Sequence, residues 1–423
     1  MQIYVVGGYV RDKVLGRQST SNDQDFVVTG STVAAMRDLG FLQVGESFPV
    51  FLHPETREEY ALARQERTTG DAHTDFEYIF IPDITIDKDA QRRDFTVNAL
   101  YMPDGSDKVI LDPTGRGLQD CADGVLRHVG ESFIEDPLRV VRCARFAAQL
   151  GFSVAPETMD LLAQMVQRGM LKHLPRERID NEFVRAMSAD YDSRRFLEVM
   201  FDCGALDVLY PEIAAYHNCV EKTKYHATGT TWGHVLAALD VARSSEPQVK
   251  TAIVYHDIYK PVAYLEKTAE NYIAHDDEHA LDYLRQVLSQ RKFDARTKKL
   301  CKVALKNHMK VWRIFDGMAI KKWVDLIGGI TGGFRNDYLH VLTDFLEVCR
   351  ADAISDKPVA RYSEQSPQVA VQQLHDYAMQ TFTICSKIQA RDIPDYADLH
   401  HEQLKAELRR VRIHAVAGAD ERI

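Results

Sequence analysis

Residues 1–28 read MQIYVVGGYVRDKVLGRQSTSNDQDFVV. A β-rich run at 2–6 ends on Gly7-Gly8, and Val10, Val14 and Leu15 then keep helical spacing until Gly16. A second strand is expected at 25–28, entered through Asp23-Gln24-Asp25. Alternate strand residues face one side, so Asp23 and Asp25 offer two carboxylates to one cation such as Mg²⁺. Paired glycines at a strand-to-helix turn let backbone N–H groups approach a phosphate chain, and Arg11 can hold a phosphate oxygen. A glycine turn alone is usually only a turn, and a lone Asp-x-Asp is usually a solvent-facing loop. Their closeness in sequence makes the combination specific.

Reading outward, Ser31 or Thr32 caps a helix at 33–39, and strands are expected at 49–53 and 59–64. The polar stretch 68–77, with Gly70, reads as a mobile loop, and 109–111 as a last short strand. From about residue 136 helical spacing dominates, as in Leu138, Val141, Phe146 and then Leu162, Met165, Val166. The fold class expected is α+β, a head with a mixed sheet followed by a long helical body. Four domains are expected: 1–135, 136–225, 226–355 and 356–423.

Composition bounds the function. The 423 residues are 45% hydrophobic and 27% charged, which fits a globular chain and excludes a disordered one. No apolar run approaches the roughly 20 residues of a membrane helix. The start lacks a basic region and cleavage site, so no secretory leader is expected. Seven cysteines without a CxxC pair argue against a disulfide framework and point to a reducing, cytoplasmic setting. The net charge of −10 excludes a protein that coats nucleic acid by bulk charge. Residues 285–322 run the other way, with 12 Lys/Arg against Asp294 and Asp316. This is either a solvated helix face or a phosphate-tracking surface.

Two further blocks carry arginines. In Arg92-Arg93-Asp94-Phe95-Thr96-Val97-Asn98-Ala99, the acids nearest in sequence, Asp89 and Asp94, account for one arginine more readily than for both. In Glu135-Asp136-Pro137-Leu138-Arg139, continuing to Arg142 and Arg145, spacings of three place the arginines on one helix side. Like charges so stacked repel, so a nucleotide or RNA backbone is expected between them.

In this order, GGYVRD, DQD, RRDFTVNA and EDPLRVVRCARF resemble the class II tRNA nucleotidyltransferases, closely the bacterial form with a C-terminal HD domain. The resemblance is strong over the first 220 residues or so and moderate beyond. It implies a nucleotidyltransferase head, a helical neck, an HD-type body and a helical tail, and addition of C, C and A to tRNA from CTP and ATP. By the same resemblance, Asp23 and Asp25 bind Mg²⁺ and activate the RNA 3′-hydroxyl. Gly8, Arg11 and Arg93 hold triphosphate and ribose. Asp136 and Arg139 read the base, with Arg142 and Arg145 completing the pocket. The loop at 68–77 would be the lever between C and A addition.

In the body, His256-Asp257 is preceded by His234 and followed by His275, His279, His308 and Asp352. Imidazoles and carboxylates together suit a transition metal. The set resembles the HD phosphohydrolases, which implies His234, His256, Asp257 and Asp352 as ligands of Ni²⁺ or another transition metal, with His279 and His308 close by. That family usually has glycine where this chain has Tyr259, while Lys260 is kept. A tyrosine there would crowd the metal. The partners expected are tRNA, CTP and ATP, with no membrane, in a monomer or homodimer. The alternatives are a bacterial poly(A) polymerase, or a non-catalytic RNA-binding HD phosphohydrolase.

Overall fold

The computed structural model describes residues 1–17, 24–44, 50–68, 76–221, 228–265, 278–355 and 366–419. Asp23, His275 and residues 69–75 lie outside them. The chain forms two compact units. The first comprises 1–182 and 195–209, the second 183–194 and 210–423.

In the first unit β1 (Gln2–Val6) leads into α1 (Gly8–Val14), and β2 (Asp25–Thr29) follows. Thr32 accepts the Ala35 N–H and so caps α2 (Val33–Asp38). Then come β3 (Leu42–Val44), β4 (Val50–Leu52), β5 (Glu59–Leu62), the pair β6 (Gln65–Thr68) and β7 (Phe76–Ile79), α3 (Ile86–Ala90) and β8 (Tyr101–Pro103). Six strands form one sheet in the order β3-β4-β5-β2-β1-β8. It is mixed, because β2 and β5 run parallel while the other neighbours are antiparallel.

One sheet face buries Val6, Val27, Ala63, Ala99 and Tyr101 with Ile84 and Ala90. Burying an aliphatic side chain of this size contributes about 1.5–3 kcal/mol. On the other face Phe26 stacks on its strand partner Tyr60, ring centroids 4.3 Å apart. Residues 109–111 do not make the expected strand. Only Leu111 bridges to Tyr101. The expected loop at 68–77 narrows as well, since Thr68 and Phe76 already face each other in the β6–β7 pair.

The unit continues with α4 (Gly117–Asp123), β9 (Val125–Leu126), α5 (Leu138–Leu150), β10 (Ser153–Val154) and α6 (Pro156–Gln167). Next come α7 (Arg176–Ala186) and α8 (Ser193–Asp202), which both units share, and α9 (Ala205–Leu209).

The second unit is helical: α10 (Pro211–Ala214), α11 (Thr231–Val241), α12 (Pro247–Tyr255), α13 (Lys260–Leu265), α14 (Glu278–Ser289), α15 (Ala295–Asn307), α16 (Ile320–Thr331), α17 (Leu339–Ser355), α18 (Pro367–Lys387) and α19 (His401–Gly418). Helices α11, α12 and α17 pack on one another, which decides where their histidines and aspartates meet. Among the described residues no helix is long and apolar enough to cross a membrane.

Candidate active site

The antiparallel register of β1 and β2 sets Val6 opposite Asp25, so the Asp25 carboxylate stands where β1 turns at Gly7-Gly8. Gly7 has φ +81° and ψ −137°, a conformation that side chains resist. A Cβ there would lie 3.9 Å from an Asp25 carboxylate oxygen, and 4.0 Å from Arg93 Nη1 and from the Asn98 carbonyl. The glycine turn, one aspartate of Asp23-Gln24-Asp25 and one arginine of Arg92-Arg93 therefore converge. Asp25 is the exposed end of a strand otherwise buried. Of the predicted Mg²⁺ pair, Asp25 alone is described.

Arg93 is held from below. The fully buried Asp89 carboxylate takes Arg92 Nη2 at 2.7 Å, Arg93 Nη2 at 3.1 Å and the Tyr101 hydroxyl at 2.8 Å. One carboxylate thus serves both arginines, against the expectation that an internal bridge would satisfy only one. Burial opposes charge on Asp89, yet the two guanidiniums and the hydroxyl hold its carboxyl well below the usual carboxylate range.

Arg11 is 3% exposed and donates to Asn98 at 2.8 Å and to Asp12 at 2.8 Å. It fastens α1 to the Thr96–Asn98 turn beneath the glycine pair. Gly8 sits directly over its guanidinium, where a Cβ would be 3.5 Å from Nη2.

Helix α5 answers the question of its stacked arginines differently from the sequence expectation. Arg142 donates to Asp94 at 2.6 Å, and Arg145 pairs with Glu182. Arg139 donates to the Ser132 and Arg92 carbonyls. The anions between these cations belong to the protein. Burial opposes the Asp94 charge, but Arg142 brings its carboxyl down to about 2. Phe146 sits among three guanidiniums, with Arg145 3.8 Å, Arg142 5.3 Å and Arg11 5.5 Å from its centroid.

Asp136 precedes α5. One of its carboxylate oxygens accepts the Leu138 N–H, and the other lies 3.7 Å from Arg178, a neighbour that the sequence reading missed. Glu182 was missed too, and Asp89 was weighed only as a counter-charge for one of the two arginines.

In the second unit His234 on α11, His256-Asp257 after α12, and Asp352 on α17 come together, all buried. His234 Nε2 lies 3.1 Å from Asp352 and 3.7 Å from Asp257, and His256 Nε2 lies 3.1 Å from Asp257 and 3.7 Å from Asp352. His234, His256 and Asp352 form one group of donors close enough to hold an ion, and His256, Asp257 and His308 a second that shares His256. His256 directs Nδ1 at the Ile253 carbonyl, 2.6 Å away, and His308 directs Nδ1 at that of Ala304, 2.9 Å away. This fixes the tautomer that leaves Nε2 as a ligand.

Burial opposes a charge on His256, yet Asp257 and Asp352 push it up to about 10, which measures the negative field a cation would meet. Lys260 bridges Asp257 at 2.7 Å and Glu221 at 2.8 Å. Tyr259 turns its ring to Tyr283, centroids 5.7 Å apart. His279, exposed on α14, is not one of the grouped donors, whereas His308 is, 3.6 Å from Asp257.

Residues 3–127 match the model described as the poly A polymerase head domain, and 151–216 the probable RNA and SrmB-binding site of polymerase A. The chain is 47% identical over 262 residues to a multifunctional CCA protein of Nitrosococcus oceani, covering 62% of this chain and 63% of that one. It is 46% identical over 267 residues to the protein of the same name from Vibrio vulnificus, covering 62% and 64%. The matched stretch thus spans somewhat less than two thirds of these relatives.

The fold resembles the Bacillus stearothermophilus CCA-adding enzyme in complex with CTP, with TM-score 0.62 and 19% identity over 99% of this chain and 89% of that one. It also resembles the Thermotoga maritima CCA-adding enzyme complexed with tRNA-CCA, with TM-score 0.53 and 17% identity over 97% and 91%. With its glycine turn and its Asp25–Arg93 corner, the chain is similar to these multifunctional CCA proteins over 62% of its length, and its fold resembles that of the CCA-adding enzymes.

Proposed function

We propose that this protein adds C, C and A to the 3′ end of tRNA from CTP and ATP without a template, releasing pyrophosphate. The observation that carries this reading is the convergence of Gly7-Gly8, Asp25 and Arg93 at one end of β1 and β2. Asp25, with Asp23, would hold Mg²⁺, which when bound neutralises the triphosphate and lowers the pKa of the attacking hydroxyl. The glycine backbone gives the phosphates close access, and Arg93 binds them in an orientation set by Asp89. Arg11 supports the turn from inside.

Asp136 and Arg139 would read the base. Cytosine and adenine pair an amino donor with a ring-nitrogen acceptor, which a carboxylate beside a guanidinium complements, while uracil and guanine reverse the order. The Ser132 and Arg92 carbonyls hold the Arg139 guanidinium in place. Arg142 and Arg145, tied to Asp94 and Glu182, would keep the wall of that pocket rigid. Residues 1–135, 136–225, 226–355 and 356–423 would act as head, neck, body and tail, in the cytoplasm, as monomer or homodimer.

The test is extension of a tRNA that ends before its terminal triplet. CTP alone is expected to add two cytidines, and CTP with ATP to add C, C and A, with UTP and GTP refused. Long adenosine tails from ATP alone would favour a poly(A) polymerase, and no incorporation would defeat the reading.

We propose for the second unit a further activity, hydrolysis of phosphoesters (2′,3′-cyclic phosphodiesters, 2′-nucleotides or simple phosphomonoesters), because its buried histidines and aspartates include groups of three donors that could hold one ion. Ni²⁺ or another transition metal, at a hundredfold excess over its Kd, is expected to stabilise the protein by about 2.7 kcal/mol. Calorimetry should show the rise in Tm, and chelation or Asp352→Ala should remove it. An unchanged Tm would show that the centre is structural.

A further inference from the structure

Each arginine of α5 is met by a protein carboxylate or carbonyl; on α15 this holds for Arg296, Lys299 and Lys306 but, among the described residues, not for Lys298 and Lys302. Its 13 residues, ARTKKLCKVALKN, carry Arg296, Lys298, Lys299, Lys302 and Lys306 and no acid. Asp294, just before it, accepts the Thr297 N–H as a cap. Lys298, Lys302 and Lys306 follow at intervals of four, where like charges destabilise a helix. Arg296 pairs with Asp344 and Lys306 with Glu278. Lys298 and Lys302 have no ion pair among the described residues, and both are only half-buried.

On the same helix, a cavity of about 230 Å³ opens between α15 and the start of α17, lined by Arg296, Lys299, Tyr338, His340 and Asp344 among others. Two cations flank the Tyr338 ring, Lys299 at 5.3 Å and Arg335 at 5.5 Å from its centroid. In a chain of net charge −10, such a concentration stands out from a surface that otherwise repels polyanions.

We infer that this face of the second unit docks an RNA backbone. Lys298 and Lys302 meet phosphates about 6 Å apart along the helix rise, and the Arg296–Lys299–Tyr338 cavity receives a further phosphate with its sugar or base against the ring. An aromatic wall under paired cations suits a nucleotide better than an acidic peptide, which offers carboxylates but no ring to stack. The inference rests on the RNA-directed reading above, and it supplies the grip that chemistry at Asp25 does not provide.

The experiment uses the full chain and a tRNA lacking its terminal triplet, with affinity measured by anisotropy across a salt series. Lys298→Glu combined with Lys302→Glu is expected to raise the Kd at least tenfold. It should also flatten the slope of log Kd against log salt by about 1.4–1.8, the share of two phosphate contacts. The KM for CTP and the circular dichroism melt should stay unchanged. Tyr338→Ala is expected to weaken binding while leaving the salt slope alone. A wild-type Kd and slope in the double variant would overturn the inference, as would polyglutamate competing as well as RNA. Salt-dependent tRNA binding that these lysines control, without nucleotide addition by the wild type, would instead sink the proposed function and leave this docking face standing.

Discussion

Asp25→Asn is expected to lower the kcat for nucleotide incorporation by about 10³-fold, near 4 kcal/mol of transition-state stabilisation. The substitution keeps the shape of a side chain at an exposed strand end. It removes the charge that, beside Gly7 and Arg93, would fix a divalent ion between phosphate and hydroxyl. Because Asp25 is exposed, the melting temperature should move little. Because tRNA binding depends on phosphate contacts rather than on this carboxylate, the tRNA Kd should hold within about twofold. Single-turnover extension with radiolabelled CTP separates these quantities. Retention of the wild-type rate would remove Asp25 from the reaction and, with it, the metal assignment of the head.

Much of this corner was legible in the sequence because its signals are local. A strand, two glycines and a helix occupy 2–14, and the strand entered at Asp25 then pairs with β1, residue for residue. The histidine–aspartate set, whose members span 234 to 352, was legible through its resemblance to the HD phosphohydrolases, and the structure brings these buried residues together from separate helices. The arginine networks were not. Arg142 finds Asp94 across 48 residues and Arg145 finds Glu182 across 37, so local charge spacing suggested repulsion where the fold supplies the counter-charge. The same logic, applied to α15, leaves Lys298 and Lys302 without such ion-pair partners among the described residues. Sequence reading also overlooked β3 and β8, strands of three residues each, too short for alternation to register. Tyr259 looked like an obstruction to the metal, yet the ring has Tyr283 to pack against.

Asp89→Asn should be the most destabilising conservative change in the head, by about 3 kcal/mol, the cost of leaving a buried charge partner uncompensated. Two guanidiniums and a hydroxyl converge on this fully buried carboxylate, and asparagine can accept from one face only while presenting an N–H₂ to a cation on the other. Arg92 and Arg93 keep 14% and 16% exposure, so water relieves part of the loss and the variant should still fold. The sign of the pH dependence follows from the depressed carboxyl. Its folded value lies well below the unfolded value of about 3.9, so its contribution is complete above pH 4 and shrinks as pH falls toward the folded value. The gap between wild type and variant, read from urea unfolding, should therefore be constant from pH 7 to 5. Below pH 4 it should close by at most about 1.4 kcal/mol per pH unit. In activity, the freed Arg93 should raise the KM for CTP more than it lowers kcat, because orientation of the phosphates is lost while Asp25 remains. A gap that is the same at pH 3 and pH 7 would mean that Asp89 contributes shape rather than charge, and that the arginine pair is held by something else.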